Sequence, residues 1–206
     1  MSTNFYVYPG KDYIPTFKEL LDTSNRRLFE YLSNLGGLRN AYLDVEIHNI
    51  KDHSKIRFSI NDKMIWKEDH YAWFFVAGIA GGTDSYYYKT TELDKETWKE
   101  EIETNIKAQQ LQDTINRSMN IGYHWSFRRS AGQPGIISLS YGLIAASLAE
   151  ITDGFVYSDD GAWDYNCFPA MAGDFFGWYF KPEFVVKSDD KVWVHDCIKS
   201  INEELE

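Results

Sequence analysis

The stretch TFKELLDTSNRRLFEYLSNLGGLRNAYLDVEIHNI, residues 16–50, changes its hydrophobic period part-way along. In its first part Phe17, Leu20, Leu21, Leu28, Tyr31, Leu32 and Leu35 recur at helical spacing. Thr16 and Glu19 form a capping box at the start, and Gly36-Gly37 supplies a stop. In its second part Leu43, Val45 and Ile47 alternate with Asp44, Glu46 and His48, the period of a strand with one wet face. After the polar turn KDHS, the segment KIRFSIN repeats the alternation with Ile56, Phe58 and Ile60. A helix with an apolar stripe next to an antiparallel hairpin predicts an α+β protein, an antiparallel sheet with packed helices.

Outward from there, YAWFFVAGIAG and DSYYYKT read as further strands around Gly81-Gly82, although the first also suits a buried helix. Residues 93–120 predict one long surface helix from about Asp94, with a narrow seam of Trp98, Ile102, Ile106, Ile115 and Met119. GYHWSFRRSAGQPG breaks this pattern with Gly and Pro and marks a boundary. It divides an N-terminal α+β unit, 1–130, from a C-terminal acidic helical unit, 131–206, sharing the same core: a single compact domain or two closely packed subdomains. In the second unit a helix is expected over about 139–152, ending at Gly154, and then a short strand or extended link at FVYS. PAMAGDFFGWYF predicts a helix with Pro169 in its first turn, and residues 184–206 a strand hairpin with a frayed acidic tail.

With 44% hydrophobic and 17% aromatic residues, the composition is that of a folded globular chain. The net charge of -10 is unevenly placed: residues 1–130 hold 18 acidic and 17 basic side chains, residues 131–206 hold 13 and 4. Such a surface repels phosphate backbones and attracts basic partners, which argues against nucleic-acid binding. The longest uncharged apolar run, Ile136 to Ala149, is too short to span a bilayer. The first residues lack a basic segment followed by an apolar one, so a cytoplasmic protein without a membrane anchor is expected. Cys167 and Cys197 lack C-x-x-C spacing and are expected as free thiols.

One segment concentrates chemistry: DGFVYSDDGAWDY, residues 153–165. A calcium loop needs ligands at positions one, three and five with glycine at six, and no register through Asp153, Asp159 or Asp160 provides this, so no metal and no cofactor is expected. A hydrolytic dyad would find its carboxylates here, but Asx-turns explain SDDG equally well. His48, His53, His70, His124 and His195 show no ligand spacing, and no nucleophile elbow or phosphate-binding glycine loop occurs. Arg128 and Arg129 in HWSFRR are expected to pair with the protein's own carboxylates. Aromatic rings among carboxylates have the composition of a binding hot spot, which makes Asp153, Asp159, Asp160, Trp163, Asp164 and Tyr165 candidate partner contacts. Trp178 is read as core, and Trp163 is left between core and contact.

The residues SLAEITDGFVYSDDGAWDY followed by FPAMAGDFFGWYF resemble the immunity protein 52 family, antidotes of bacterial polymorphic toxin systems. The resemblance covers about residues 139–182. It implies a non-enzymatic protein that binds and neutralises one cognate toxin, often a nuclease with a basic surface delivered by type VI secretion. It leaves open whether the 153–165 segment is a contact surface or a folding motif, and whether the chain forms homo-oligomers. The competing expectation is a small hydrolase working with the aspartates of 153–164.

Overall fold

A computed structural model describes residues 2–36 and 41–205. Eight strands form one antiparallel sheet: β1 (Ser2–Tyr8), β2 (Leu43–Asn49), β3 (Lys55–Ile56), β4 (His70–Val76), β5 (Thr83–Lys89), β6 (Tyr123–Ser130), β7 (Phe155–Tyr157) and β8 (Ala170–Met171). The order across the sheet is β3-β2-β4-β5-β6-β1-β7-β8. Among the described residues seven α-helices accompany it: α1 (Phe17–Asn34), α2 (Glu92–Thr104), α3 (Ile106–Gln110), α4 (Gln112–Ile121), α5 (Gly135–Ile151), α6 (Ala172–Trp178) and α7 (Ser188–Glu204). The sheet runs through both halves of the chain, so the protein is a single α+β domain.

The opening stretch folds as its periods predict. Thr16 and Glu19 form the reciprocal capping box of α1, with Phe17, Leu20, Leu21, Leu28 and Leu32 buried. Gly36 stops the helix in the left-handed region at φ 98°; Gly37 lies outside the described residues. β2 buries Leu43, Val45 and Ile47 and pairs with β3 and β4, although β3 is only two residues long and Ile60 is left 38% exposed. The segment around Trp73 is a strand, not a helix.

Helix α5 is the centre of the fold. Every residue from Gly135 to Ala149 is buried, because the helix lies on β1, β6 and β7 and is enclosed by α1, α6 and α7. Gly142 permits the closest approach: a Cβ there would stand 2.2 Å from the Tyr179 ring, whose hydroxyl donates to the Ser138 carbonyl at 2.6 Å. Pro134 supplies no side-chain cap, and the Glu204 carboxylate from the end of α7 takes its place by accepting from Gly135 N and Ile136 N at 2.9 and 3.1 Å. A carboxylate on free amide donors at a positive helix end is favourable twice over.

Four expectations are corrected. Residues 122–135 are not broken throughout: Tyr123–Ser130 is strand β6 inside the sheet, pairing with β5 and β1, and the Gly-Pro character belongs only to the turn after it. The long helix is three, because Asn105 is extended (φ -110°, ψ 116°) and re-caps α3, while its amide donates to the Phe168 carbonyl at 2.9 Å. Pro169 precedes β8, and α6 begins only at Ala172. The C-terminal strand hairpin is helix α7, whose Val194, Cys197 and Ile201 bury a helical stripe on α5.

Candidate functional site

Period-two alternation sends half of each strand's side chains away from α5. On that outer face one row runs across the sheet as His48, Tyr71, Tyr86, Ser126, Tyr6 and Tyr157, set by the pairings His48 with Tyr71, Tyr86 with Ser126, Ser126 with Tyr6, and Tyr6 with Tyr157. The next row reads Glu46, Trp73, Asp84, Arg128 and Asn4. The rings touch in a chain: His48 on Tyr71 at 5.4 Å, Tyr71 near Tyr86 at 6.2 Å, Tyr86 on Tyr88 at 6.1 Å and Tyr88 near His124 at 5.5 Å. Ser126, small and buried, stands between Tyr86 and Tyr6. Trp73 lies over Gly82, where any Cβ would meet its ring at 2.6 Å.

Among the described residues one end of this face is covered. There α2 inserts Trp98 against Tyr8, Phe155 and Tyr157 at 4.8–5.2 Å. From β2 to β6, Tyr71, Trp73, Phe75 and Tyr86 are half-buried and Tyr88 is 43% exposed. The cover itself is acidic: α2 carries Glu92, Asp94, Glu96, Glu100, Glu101 and Glu103 against Lys95 and Lys99. Asp84 and Arg128 pair within the face, the Arg128 Nε donating at 2.8 Å.

The 153–165 segment borders the same face, with its residues in different employment. Asp160 accepts from Asn4 N at 2.7 Å, Asn4 Nδ2 at 2.6 Å and the Ser158 hydroxyl at 3.2 Å, so it fastens the turn to β1. Asp164 caps a short 3-10 turn by accepting from Asn166 N at 3.1 Å. Asp153, at φ 49°, pairs with Lys11 at 3.0 Å, both exposed. Tyr165 and Tyr157 both donate to the Glu101 carboxylate, at 2.8 and 3.0 Å, which ties the segment to α2. Trp163 is half-buried, stacked on Trp178 at 5.9 Å, and also touches Tyr179, Phe180 and Trp193. Asp159 is exposed, and no hydrogen bond or ion pair to another residue is made by its carboxylate among the described residues. Partial burial pushes its carboxyl up against a hydrogen bond from its own backbone amide, with the Asp160 and Glu101 charges adding to the rise; burial first and then the Asp159 charge raise the Tyr6 hydroxyl on the outer face.

The structure therefore brings Asp159, Tyr165 and Glu101 to the rim of an aromatic sheet face and places Asp153 on the α5 side of the chain's turn at Gly10. Sequence reasoning missed the face because it took the row of tyrosines on β4 and β5 for ordinary strand residues. Their signal was the wet side of an alternation carrying Tyr, Trp and Phe where Lys, Glu or Thr is usual. The AEITDG residues have folding partners: Glu150 grips Arg27 of α1 at 2.6 Å, and the Thr152 carbonyl accepts from Gly10 N and Lys11 N. A cleft of about 400 Å³ between α3 and α6 includes Cys167, but burial pushes that thiol up, away from nucleophilic thiolate. Among the described residues no three of His, Cys, Asp and Glu stand grouped for a metal ion, and no helix is long and apolar enough to cross a membrane. No known family, no characterised protein and no solved structure matches the chain, so its geometry alone speaks for the site.

Proposed function

We propose that this protein is an immunity-type antidote that binds a basic toxin through the outer face of its sheet. The observation that carries the reading is the outer-face group of half-buried Tyr6, Tyr71, Trp73 and Tyr86 with the exposed Tyr88, bordered by the carboxylates of α2 and by Asp159. Contiguous exposed aromatic surface is unusual on a monomer and marks an interaction site. Tyr and Trp give large contact area at low entropic cost, and an acidic rim accelerates encounter with a basic partner while opposing acidic ones. A nuclease, which presents cations for phosphate, fits that complement, and the resemblance of residues 139–182 to immunity proteins points the same way. In this reading Asp159 and Tyr165 are rim contacts, while Asp160, Asp164 and Trp163 hold the rim in shape.

The test is calorimetry against the toxin encoded beside this chain, using the native protein, a Trp73→Ala/Tyr86→Ala variant and a Val186→Ala control remote from the face. Tight one-to-one binding that weakens with salt, and falls by about 100-fold or more in the double variant, is expected. Equal affinity in native and double variant, with unchanged melting temperature, refutes the sheet face as the contact. A chain that binds no partner but hydrolyses a substrate, losing that activity in Asp159→Asn, replaces the reading with the hydrolase.

A further inference from the structure

Few contacts tie helix α2 to the sheet. Trp98 is its one buried residue, seated against Tyr8, Phe155 and Tyr157, and one turn on the Glu101 carboxylate accepts from the Tyr157 and Tyr165 hydroxyls. Over residues 92–97 the side chains bond only within the helix and its cap, Asp94 with Thr91 and Lys95 with Glu92, among the described residues. At the same end of the outer face alternation places His124 of β6, 6% exposed, with Tyr8 stacked on it at 4.9 Å, Tyr88 at 5.5 Å and Tyr6 at 6.3 Å. The Nδ1 atom of His124 is sealed from solvent and has no hydrogen-bond partner among the described residues. Facing the ring are Asp94 from α2, Tyr6 and Tyr8 from β1 and Tyr88 from β5, with Asp159 beyond Tyr6; Arg128, farther along β6, is held by Asp84.

We propose that α2 is a proton-operated flap: protonation of His124 releases residues 92–98 from the sheet and uncovers Tyr8 and Phe155 beside Tyr6. A neutral histidine can leave one ring nitrogen as a bare acceptor, and with its proton on Nε2 the sealed Nδ1 is tolerated. A charged ring carries N–H on both nitrogens, so protonation in place would bury a donor without an acceptor together with a positive charge. Burial accordingly lowers the proton affinity of His124, against a weaker opposing pull from Asp94. Water relieves both penalties, and the opening that breaks fewest contacts is that of the cover held by a single buried side chain. With an ordinary value of about 6.5 for the open, hydrated ring, and a closed form that stays neutral, the open population rises by up to about 25-fold between about pH 7 and about pH 5. The flap needs no partner protein to operate, so it stands apart from the antidote reading.

Amide hydrogen exchange on the full chain tests it, with the protection of α2 and of the buried α5 followed at about pH 7 and about pH 5 in the native protein and in His124→Phe. In the native protein α2 should be less protected than α5 and should lose up to about 25-fold of its protection on acidification. That loss should not respond to dilute urea, because local opening exposes little surface, whereas exchange in α5 should. In His124→Phe, which keeps the stacking, the acid-induced loss in α2 should disappear. If that variant fails to fold, the native chain decides alone: in nuclear magnetic resonance the Trp98 indole N–H and the His124 ring should follow one titration midpoint, below the ordinary histidine value. Exchange of α2 that rises with urea in step with α5, a loss that persists in His124→Phe, no loss at all, or separate midpoints for Trp98 and His124 would each overturn the proposal.

Discussion

Asp160 offers the most exacting test of how the acidic turn is built. Its carboxylate accepts two bonds from Asn4, at 2.7 and 2.6 Å, at the point where β7 has ended and β1 has no strand partner on that side. Charge-assisted bonds contribute about 1.5–3 kcal/mol each when well buried, and these are half-exposed, so Asp160→Ala should lose about 2–3 kcal/mol in total. Asp160→Asn keeps an acceptor but not the charge and should lose about 1 kcal/mol. Urea unfolding followed by tryptophan fluorescence reads this directly: with a slope near 3 kcal/mol/M, Asp160→Ala shifts the midpoint down by about 0.8 M. Asp159→Asn is the contrast, within about 0.5 kcal/mol of native or slightly more stable. Its direction follows from the raised carboxyl: the folded state holds the proton more tightly, so stability falls as pH rises through the window above the unfolded value. An Asn4→Ala/Asp160→Ala cycle should show a coupling of about 1 kcal/mol. If Asp160→Ala and Asp159→Asn behave alike in urea, the division of the turn into one anchor and one free carboxylate is wrong.

Removal of the Glu204 carboxylate by Glu204→Ala leaves two amides at the start of the buried α5 without acceptors, and should cost about 2 kcal/mol in the same urea assay despite its position next to the chain end. Glu19 is held at about 2 by the Tyr13 hydroxyl first and then by Thr16. Its contribution is therefore present above the unfolded carboxylate value and lost as pH falls through that value towards 2; Glu19→Gln should flatten this part of the acid-unfolding curve. His124 is buried between Tyr8 and Tyr88, and burial lowers its affinity for a proton against a weaker opposing pull from Asp94. The unfolded chain binds that proton more readily, so stability should fall as pH drops below the ordinary histidine value; His124→Phe, which keeps the stacking, should remove this slope in thermal melts between pH 7 and 5.

Local rules carried the first third of the chain. The capping box, the apolar stripe of α1 and the alternation of β2 are all contained within a few residues of one another, so spacing alone fixes them, whereas the segment of β4 suited a buried helix as well. The class, an antiparallel sheet with packed helices, follows from those elements. Where tertiary contacts outweigh local pattern, spacing failed. HWSFRR carries bulky residues on both faces because β6 is central, and the alternation that marks an edge or half-wet strand is hidden there. In α7 the stripe of Val194, Cys197 and Ile201 is diluted by charged neighbours, and only its seat on α5 makes it a helix face.

The candidate site divides in the same way. Sequence alone established that acidic and aromatic residues concentrate between 153 and 165 and that the C-terminal part bears the negative charge. It did not decide which of those carboxylates is free. Asp159 and Asp160 are adjacent in sequence and identical in chemistry, and they differ because the chain turn aims one at Asn4 of β1, 156 residues away, and leaves the other facing solvent. The tyrosine row was equally present in the sequence, but residues from β2, β4, β5, β6, β1 and β7 become one surface only when strand order and register are set. Composition is a sum over residues and survives any fold, whereas a surface is a set of distances, and distances between remote residues exist only once the sheet has formed.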